Sequence, residues 1–179
     1  MTVTLSVATC PSPIGPLALA TGPAGLVRLE LGGDRTRVEA DLRRRFEGCE
    51  LREAADPGGV VTALRRYFDG RLDALNGLPV DPGGTAFQRQ VWLTLREIPA
   101  GQTWSYAQLA RAVGRPSAVR AVGATNGRNP LPLVLPCHRV IGSDGSLVGY
   151  GGGLDRKVWL LRHEGAAWRR ERQASLDLA

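Results

Sequence analysis

The sequence predicts a small α/β domain built on an antiparallel sheet, followed by a mostly α domain that contains a helix-turn-helix. Short apolar or alternating runs, separated by turns rich in Pro and Gly, fill the first 81 residues. A Pro/Gly-rich stretch at residues 79–84 marks a boundary between the domains. Beyond this boundary, two capping-box patterns each precede apolar residues at helical spacing, which indicates helices.

Several strands and two helices are predicted in the first domain. The predicted strands are residues 4–8, 17–20 and 26–31, arranged as an antiparallel meander, and residues 49–53. Asp34 is in position to cap a helix whose apolar residues Val38, Leu42 and Phe46 recur at four-residue spacing. Val60–Phe68 has the pattern of a second helix. None of these residues suggests an active site, so we expect this domain to be a scaffold.

Three helices are predicted directly after the boundary. Thr85 and Ser105, each with a Gln three residues later, form the capping boxes that predict the first two. Ser117 is expected to cap the third, after a turn that contains Gly114 and Pro116. The second and third helices make a candidate helix-turn-helix for binding DNA. The alternative is a pair of helices that pack together without touching DNA.

The remaining chain carries four further predictions. Residues 131–135 contain a proline and are expected to form a buried extended segment, not a central strand. Asp155 is expected to cap a last helix, which ends at Gly165. Residues 150–153 are rich in Gly but lack the spacing of a dinucleotide site, so no cofactor is predicted. Residues 169–179 are predicted to form a charged tail.

Charge is distributed unevenly along the chain, whose net charge is +6. Residues 1–85 carry ten basic and eleven acidic residues, whereas residues 86–179 carry thirteen basic and six acidic residues. A basic second half favours a polyanion such as nucleic acid as its partner. The alternative is that these arginines only solvate a surface.

The cysteines and the apolar runs argue against a metal-binding, disulfide-rich, secreted or membrane protein. Three scattered cysteines without a CxxC pair predict neither a zinc site nor a disulfide framework, so no metal is expected. No apolar run is long enough to span a membrane, and the first 15 residues lack the pattern of a signal peptide. These observations favour a reducing, cytoplasmic location and no membrane partner.

The most informative motif is Leu-Pro-Cys-His-Arg-Val at residues 135–140. Cysteine is a strong nucleophile once it is a thiolate, and histidine is the usual base that forms the thiolate. Adjacency alone is weak evidence, because neighbouring residues on a strand point to opposite faces. An isolated cysteine is more often a buried, inert side chain. The residues around the motif therefore decide its interpretation.

Two neighbouring patterns give the motif its meaning. A candidate helix-turn-helix precedes it, and Gly-Gly-Leu-x-x-Lys-x-Trp-Leu-Leu-x-His-Glu-Gly follows it at residues 152–165. From about Phe87 to Gly165 the chain resembles the O6-alkylguanine-DNA alkyltransferases. The resemblance implies a ribonuclease-H-like first domain at residues 1–81 and a winged helix-turn-helix-like second domain at residues 82–168.

The resemblance also implies a DNA repair activity and the groups that perform it. The protein would flip O6-alkylguanine, mainly O6-methylguanine but also O4-alkylthymine, out of the duplex and take up the alkyl group irreversibly in a single turnover. Cys137 would be the acceptor, His138 would take its proton through a water, and Glu164 would orient His138. Asn129 would brace the cysteine loop. Tyr106 would press on the phosphate of the target and donate a proton toward guanine.

The same resemblance implies a monomer whose recognition helix lies in the minor groove of double-stranded DNA. Arg120 would fill the gap left by the flipped base. The other expected DNA contacts are Tyr106, Ser105, Ser117, Ala121 and Gly123. The expected lining of the base pocket is Val148, Tyr150, Gly151 and Gly152. Gly151 stands where the family often has Ser or Ala, so only its backbone amide would bind the guanine oxygen.

Two other functions stay open from the residues alone. A helix-turn-helix regulator with a structural or redox-sensing cysteine would need the helix pair but not Glu164, and it would usually be a dimer. A cysteine hydrolase with a Cys-His-Glu triad would turn over an ester or amide repeatedly.

Overall fold

The computed structural model describes residues 2–168, and the predicted charged tail lies outside the described residues. The chain divides into two compact units. Among the described residues, unit 1 comprises residues 2–83 and 130–134, and unit 2 comprises residues 84–129 and 135–168. No helix within residues 2–168 combines the length and the apolar character needed to cross a membrane.

Unit 1 is built on a four-stranded sheet. Its strands are β1 (Thr4–Cys10), β2 (Leu17–Gly22), β3 (Gly25–Leu31) and β4 (Glu50–Glu53), in the order β3-β2-β1-β4. The first three form the predicted antiparallel meander, whereas β4 pairs in parallel with β1. Helix α1 (Arg35–Arg45) explains this difference from an all-antiparallel sheet. It carries the chain from one edge of the sheet to the other, so β4 runs in the same direction as β1.

Side chains fix where the two helices of unit 1 begin. Asp34 Oδ1 accepts a hydrogen bond from the backbone N of Arg37 at 3.0 Å, which confirms the predicted cap of α1. Helix α2 (Val60–Phe68) has its predicted bounds. Its first turn is held by Asp56, whose Oδ1 accepts a hydrogen bond from the backbone N of Val61 at 2.8 Å. Buried side chains of α1 and the sheet form the core of this unit: Leu5, Val7, Ala18, Ala20, Val27, Val38 and Leu42.

Unit 2 is mostly helical. Its helices are α3 (Ala86–Thr94), α4 (Tyr106–Ala112), α5 (Val119–Gly127) and α6 (Leu154–His163). Two short strands, β5 (Trp104–Ser105) and β6 (Val140–Ile141), pair in parallel. Both predicted capping boxes are present, since Thr85 and Ser105 exchange hydrogen bonds with Gln88 and Gln108 respectively. Helices α4 and α5 form the predicted helix-turn-helix.

Two predicted helix caps are wrong. The cap residue of α5 is Ala118, and Ser117 lies one residue too early, in a turn closed by a hydrogen bond from the backbone N of Ala118 to Arg115 O. The cap residue of α6 is Gly153, whose φ of 91° suits glycine. Asp155 instead lies in the first turn of α6, where its negative charge interacts favourably with the positive end of the helix dipole.

The prediction of an extended segment at residues 131–135 is also wrong. The segment is buried as predicted but forms turns. Leu133 has a φ of 73°, which lies in the left-handed region that non-glycine residues rarely adopt. In unit 1, Pro130 O accepts a hydrogen bond from the backbone N of Leu29 at 3.0 Å, which fastens the start of the segment to β3.

Candidate active site

The cysteine loop lies between α5 and α6. Cys137 begins a single 3-10 turn of three residues and is 6% exposed. Burial raises the pKa of its thiol, against the hydrogen bonding of Asn129, the charge of Lys157 and the hydrogen bonding of Tyr150. The resting side chain is therefore a thiol at neutral pH and needs a base to become a nucleophile.

Asn129 holds the loop that carries this cysteine. Its Nδ2 donates a hydrogen bond to Leu135 O at 2.6 Å. Because residues 130–134 belong to unit 1, this bond joins the two points at which the chain leaves and re-enters unit 2. The same side chain contributes to the pKa of Cys137 through hydrogen bonding. Asn129 therefore lies at the sequence-predicted place, next to the cysteine.

Glu164 is the centre of a buried charged cluster. Its carboxylate contacts His138 Nε2 at 2.9 Å and accepts two hydrogen bonds from Arg139, from Nε at 2.9 Å and from Nη2 at 2.8 Å. Arg139 Nη1 also donates to Ile98 O at 2.6 Å. Burial alone would raise the pKa of Glu164, but the hydrogen bonds of His138 and Arg139 and the charge of Arg139 hold it well below its ordinary value. Glu164 is thus ionised at neutral pH.

The surroundings of His138 keep it neutral and select one tautomer. Its side chain is 0% exposed, and burial lowers its pKa against the opposing influence of Glu164. The Glu164 carboxylate can only accept, so the ring proton lies on Nε2. Nδ1 makes no hydrogen bond to any atom of residues 2–168. The ring therefore offers a lone pair on Nδ1, which is what a general base requires.

Lys157, the single lysine of the chain, is a buried cation near the cysteine. Its Nζ donates hydrogen bonds to Val140 O at 2.6 Å and Val148 O at 3.2 Å, and lies 5.9 Å from the centre of the Tyr150 ring. Burial lowers its pKa from 10.5 to about 8, although the charge of Cys137 opposes this. Lys157 is thus largely protonated at pH 7 and favours the thiolate form of Cys137.

Replacement of Lys157 by Met should slow reaction at Cys137 about tenfold at pH 7, because a charge that favours the thiolate is removed. Its effect on stability should depend on pH. The folded protein releases the Lys157 proton near pH 8 and the unfolded chain near 10.5, so wild-type stability should rise by about 3 kcal/mol relative to the variant across this interval. Iodoacetamide reactivity of Cys137 and denaturant unfolding at pH 7 and 10.5 measure the two effects. An unchanged difference in stability would show that burial does not lower the pKa of Lys157.

Tyr106 is the first residue of α4 and lies half-buried against α5. A Cβ atom placed on Gly123 would lie 3.4 Å from Tyr106 Cδ1, so the ring packs against α5 at this position. Burial and the charge of Cys137 raise the pKa of Tyr106, whereas a hydrogen bond with Asn126 lowers it. The structure therefore brings Tyr106 and Cys137 together.

Ser105, another predicted DNA contact, caps α4. Its hydroxyl accepts a hydrogen bond from the backbone N of Gln108 at 3.1 Å.

The predicted pocket loop, residues 148–153, precedes α6. Val148 is 49% exposed, and Gly152 O accepts a hydrogen bond from Arg156 Nη1 at 2.9 Å. A Cβ atom placed on Gly151 would meet only Gly127 O, at the ordinary contact distance of 3.6 Å. The backbone therefore has room for the Ser or Ala that the family often carries at this position.

Three predicted DNA-contact residues, Ser117, Arg120 and Ala121, are exposed at the start of α5 or in the turn before it. Within residues 2–168, Arg120 makes no ion pair and no hydrogen bond through its side chain. Residues 98–143 contain five arginines and no Asp or Glu. Four of these arginines, Arg111, Arg115, Arg120 and Arg128, are exposed in or next to α4 and α5. This surface is therefore positively charged, which suits a phosphate backbone.

Sequence reasoning missed three polar residues of this site. They are Arg139, which ion-pairs with Glu164, Lys157 and Asn126. Arg139 lies within an otherwise apolar run, and Lys157 falls on the apolar face of α6 with Val158 and Leu161. A charged residue in such a position needs a buried partner, and this signal could have identified both. The sequence holds no comparable signal for Asn126.

The fold and the site define a protein that carries a buried cysteine, a neutral histidine and a carboxylate on a helix-turn-helix unit. Residues 5–82 match the family model described as "6-O-methylguanine DNA methyltransferase, ribonuclease-like domain". Residues 86–166 match the one described as "6-O-methylguanine DNA methyltransferase, DNA binding domain". The chain belongs to the 6-O-methylguanine DNA methyltransferase family.

Relatives with known names agree with this assignment. A methylated-DNA–protein-cysteine methyltransferase of Shigella flexneri is 50% identical over 157 residues, which cover 86% of this chain and 92% of the relative. A methylated-DNA–protein-cysteine methyltransferase of Mycobacterium bovis is 43% identical over 159 residues, which cover 87% of this chain and 90% of the relative. The crystal structure of Mycobacterium tuberculosis OGT in complex with DNA superposes with a TM-score of 0.73 at 40% identity, covering 91% of this chain and 93% of that one.

Proposed function

We infer that this chain is a DNA repair protein that transfers the alkyl group of O6-alkylguanine irreversibly to Sγ of its own Cys137. The observation that carries this inference is a buried cysteine next to a neutral histidine whose Nε2 is held by the Glu164 carboxylate. Its activity is that of a methylated-DNA–protein-cysteine methyltransferase. O6-methylguanine is the main substrate, and O4-alkylthymine is a further one.

The transfer is a displacement at the alkyl carbon. His138 Nδ1 takes the proton of Cys137 through a water, and the thiolate forms a bond to the sp3 carbon as the bond from that carbon to guanine O6 breaks. The electron pair of the broken bond goes to guanine, toward which Tyr106 donates its proton. The proton on His138 leaves to solvent and Tyr106 is reprotonated from solvent, so the protons balance. Lys157 stabilises the thiolate, and Asn129 braces the loop.

The product explains why each molecule acts once. A thioether at Cys137 has no carbonyl for water to attack, unlike the thioester of a cysteine hydrolase. No group in the site can therefore remove the alkyl chain from the sulfur. The reaction consumes one protein molecule for each lesion.

The target base must leave the duplex, because the stack blocks in-line attack on its alkyl carbon. Flipping costs a few kcal/mol, and less for a poorly paired lesion. We propose that α5 lies in the minor groove and that Arg120 takes the place of the flipped base. Ser105, Tyr106, Ser117, Ala121 and Gly123 make the other contacts with DNA. Val148, Tyr150, Gly151 and Gly152 line the pocket for the base.

We propose further that the protein acts as a monomer in the cytoplasm. Residues 1–81 form a scaffold domain and residues 82–168 form the domain that binds DNA and accepts the alkyl group. The positive stretch at residues 98–143 supports DNA binding by the second domain.

Mass spectrometry of the intact protein after mixing with excess O6-methylguanine duplex tests this function. We expect one added methyl group, located on the peptide that contains Cys137, and no further turnover. An unchanged mass in a preparation that binds DNA would instead favour a regulator with a structural cysteine. Repeated turnover would favour a hydrolase.

Replacement of Arg120 by Ala should reduce the transfer rate on duplex DNA about 100-fold, because nothing then fills the space of the flipped base. The rate on the isolated O6-methylguanine base should change less than twofold. Arg115→Ala is the matched control, because it removes an exposed arginine from the turn between α4 and α5. This control should weaken DNA binding but leave the rate at saturating duplex near that of wild type. Equal losses on duplex and base would remove the flipping role from Arg120.

A further inference from the structure

We propose that Arg156 is a positioning residue that strengthens the hydrogen bond from the Gly151 amide to guanine O6, through a relay of two peptide groups. This inference rests on the proposed function, because it concerns the pocket residue that meets the departing oxygen. Arg156 is the third residue of α6 and is partly buried. A cation in the first turn of a helix interacts unfavourably with the helix dipole, so the helix itself gives no reason for an arginine at this position.

The side chain of Arg156 reaches back to the loop that precedes its own helix. Its Nη1 donates a hydrogen bond to Gly152 O at 2.9 Å. The N–H of the same peptide group is also bonded, since the backbone N of Gly153 donates to Tyr150 O at 2.9 Å. Both polar groups of the peptide between Gly152 and Gly153 are therefore held. This peptide is the first group of the relay.

The second group of the relay is the peptide that joins Tyr150 to Gly151. Its carbonyl accepts the hydrogen bond from Gly153, and its N–H is the amide of Gly151. The carbonyl and the N–H of a trans peptide point in opposite directions, so the Gly151 N–H points away from Gly153. Gly151 is exposed, and its N–H donates to no atom of residues 2–168. This donor is therefore left for a ligand.

The relay carries the influence of the Arg156 charge to the Gly151 amide. Linked hydrogen bonds polarise one another, and a charged donor makes the strongest first bond of such a series. The same bonds also fix the direction of the amide. The loop needs this support, because Gly151, Gly152 and Gly153 have high backbone entropy and no side chains that pack. A Cβ atom placed on Gly153 would find no atom within 4 Å among residues 2–168.

The polarised amide acts on the leaving group of the reaction. As the bond from Cys137 Sγ to the alkyl carbon forms, the bond from that carbon to O6 breaks and its electron pair passes to guanine. The Gly151 N–H stabilises the charge on O6 and keeps its hydrogen, whereas the proton that balances the charge comes from Tyr106. A preorganised donor is most effective where charge develops in the transition state. Arg156 therefore acts on the oxygen that leaves and not on the thiolate that attacks.

The test compares two reactions of the same cysteine. Arg156→Met keeps the approximate length of the side chain and removes its charge and its donors. Single-turnover transfer from O6-methylguanine duplex should slow about tenfold, which is less than the roughly 100-fold effect of deleting an oxyanion donor outright. The reaction of Cys137 with iodoacetamide should change less than about twofold, because iodide leaves without an oxygen for Gly151 to stabilise.

Two further measurements examine the relay itself. Arg156→Lys keeps the charge and a donor, so its transfer rate should stay within about threefold of wild type. Amide hydrogen exchange at Gly153, followed by NMR on the protein without DNA, should be at least about fivefold faster in Arg156→Met, because the turn loses one of its bonds.

Controls separate the possible outcomes. Asp155→Asn is the matched control, because it changes the charge of the exposed neighbouring residue in the same turn of α6. It should leave the transfer rate and the exchange at Gly153 within about twofold of wild type. If Arg156→Met does not fold, Arg156→Gln gives the same comparison with a shorter neutral side chain.

Three results would overturn the role of Arg156. They are equal slowing of transfer and of the iodoacetamide reaction, unchanged exchange at Gly153, and a lysine variant no faster than the methionine variant. Absence of transfer by the wild-type protein would overturn the proposed function instead, and exchange at Gly153 would still test the relay.

Discussion

Replacement of Cys137 by Ser should abolish alkyl transfer, with a rate at least about 10⁴-fold below that of wild type. A serine hydroxyl is a far weaker acid than a thiol, and the neutral His138 is too weak a base to ionise it. The substitution changes one buried atom and leaves the exposed face of α5 untouched. Affinity for O6-methylguanine duplex should therefore stay within about twofold of wild type. Intact-protein mass spectrometry and a DNA-binding titration measure the two effects.

The other cysteines provide the matched control for this experiment. Cys49 is partly exposed and Cys10 is buried, and both lie in unit 1. Cys49→Ser should accept one methyl group at the wild-type rate. A Cys137→Ser protein that gains a methyl group would place the acceptor elsewhere, and one that loses DNA binding would give the cysteine a structural role.

Replacement of Glu164 by Gln should have the second largest effect, on both rate and stability. The carboxamide can donate as well as accept, so the tautomer of His138 is no longer fixed, and the rate should fall about 10³-fold. Arg139 would be left buried without a counter-charge, which should cost about 3 kcal/mol of folding free energy. The transfer rate and denaturant unfolding at pH 7 measure the two losses.

The stability of the folded protein, measured as the pH is lowered, tests whether the charge of Glu164 is stabilising. The pKa of Glu164 is lowered in the folded protein, so its contribution to stability is present above pH 4.5 and is lost as the pH falls further. Glu164→Gln should lack this part of the acid sensitivity. The double variant Glu164→Gln/Arg139→Met removes the uncompensated cation and should regain much of the stability without regaining the rate. A double variant with wild-type rate would show that Glu164 acts through the fold alone.

The fold could be predicted where local chemistry determines it. Asp34, Thr85 and Ser105 fix helix starts by bonds within three residues, and these predictions are confirmed. The cap at Ser117 was wrong because a turn ending at Ala118 moved the helix start by one residue. The parallel pairing of β4 depends on the path of α1, and the turns at residues 131–135 depend on unit 1, so neither follows from a local pattern.

The reacting groups of the site could be predicted from the sequence, but the residues that hold them in place could not. Cys137 and His138 are adjacent in sequence, and the resemblance supplied Glu164. The side chain of Arg139 reaches across 25 residues to Glu164, and that of Lys157 bonds to backbone carbonyls 9 and 17 residues away. Such contacts between distant residues arise only when the chain folds, so the spacing of residues does not reveal them.

The two units of this chain are not separated by a single linker, because residues 130–134 belong to unit 1 although unit 2 precedes and follows them in the sequence. Three peptide bonds connect the two units, after residues 83, 129 and 134, and the last is three residues before Cys137. The segment of unit 1 between the second and third bonds is fastened to β3 through Pro130. Loss of order in the sheet would therefore release the loop that carries the acceptor thiol. Truncation of the first unit would remove an anchor of the reactive cysteine, even though none of the residues assigned to the transfer lies in that unit.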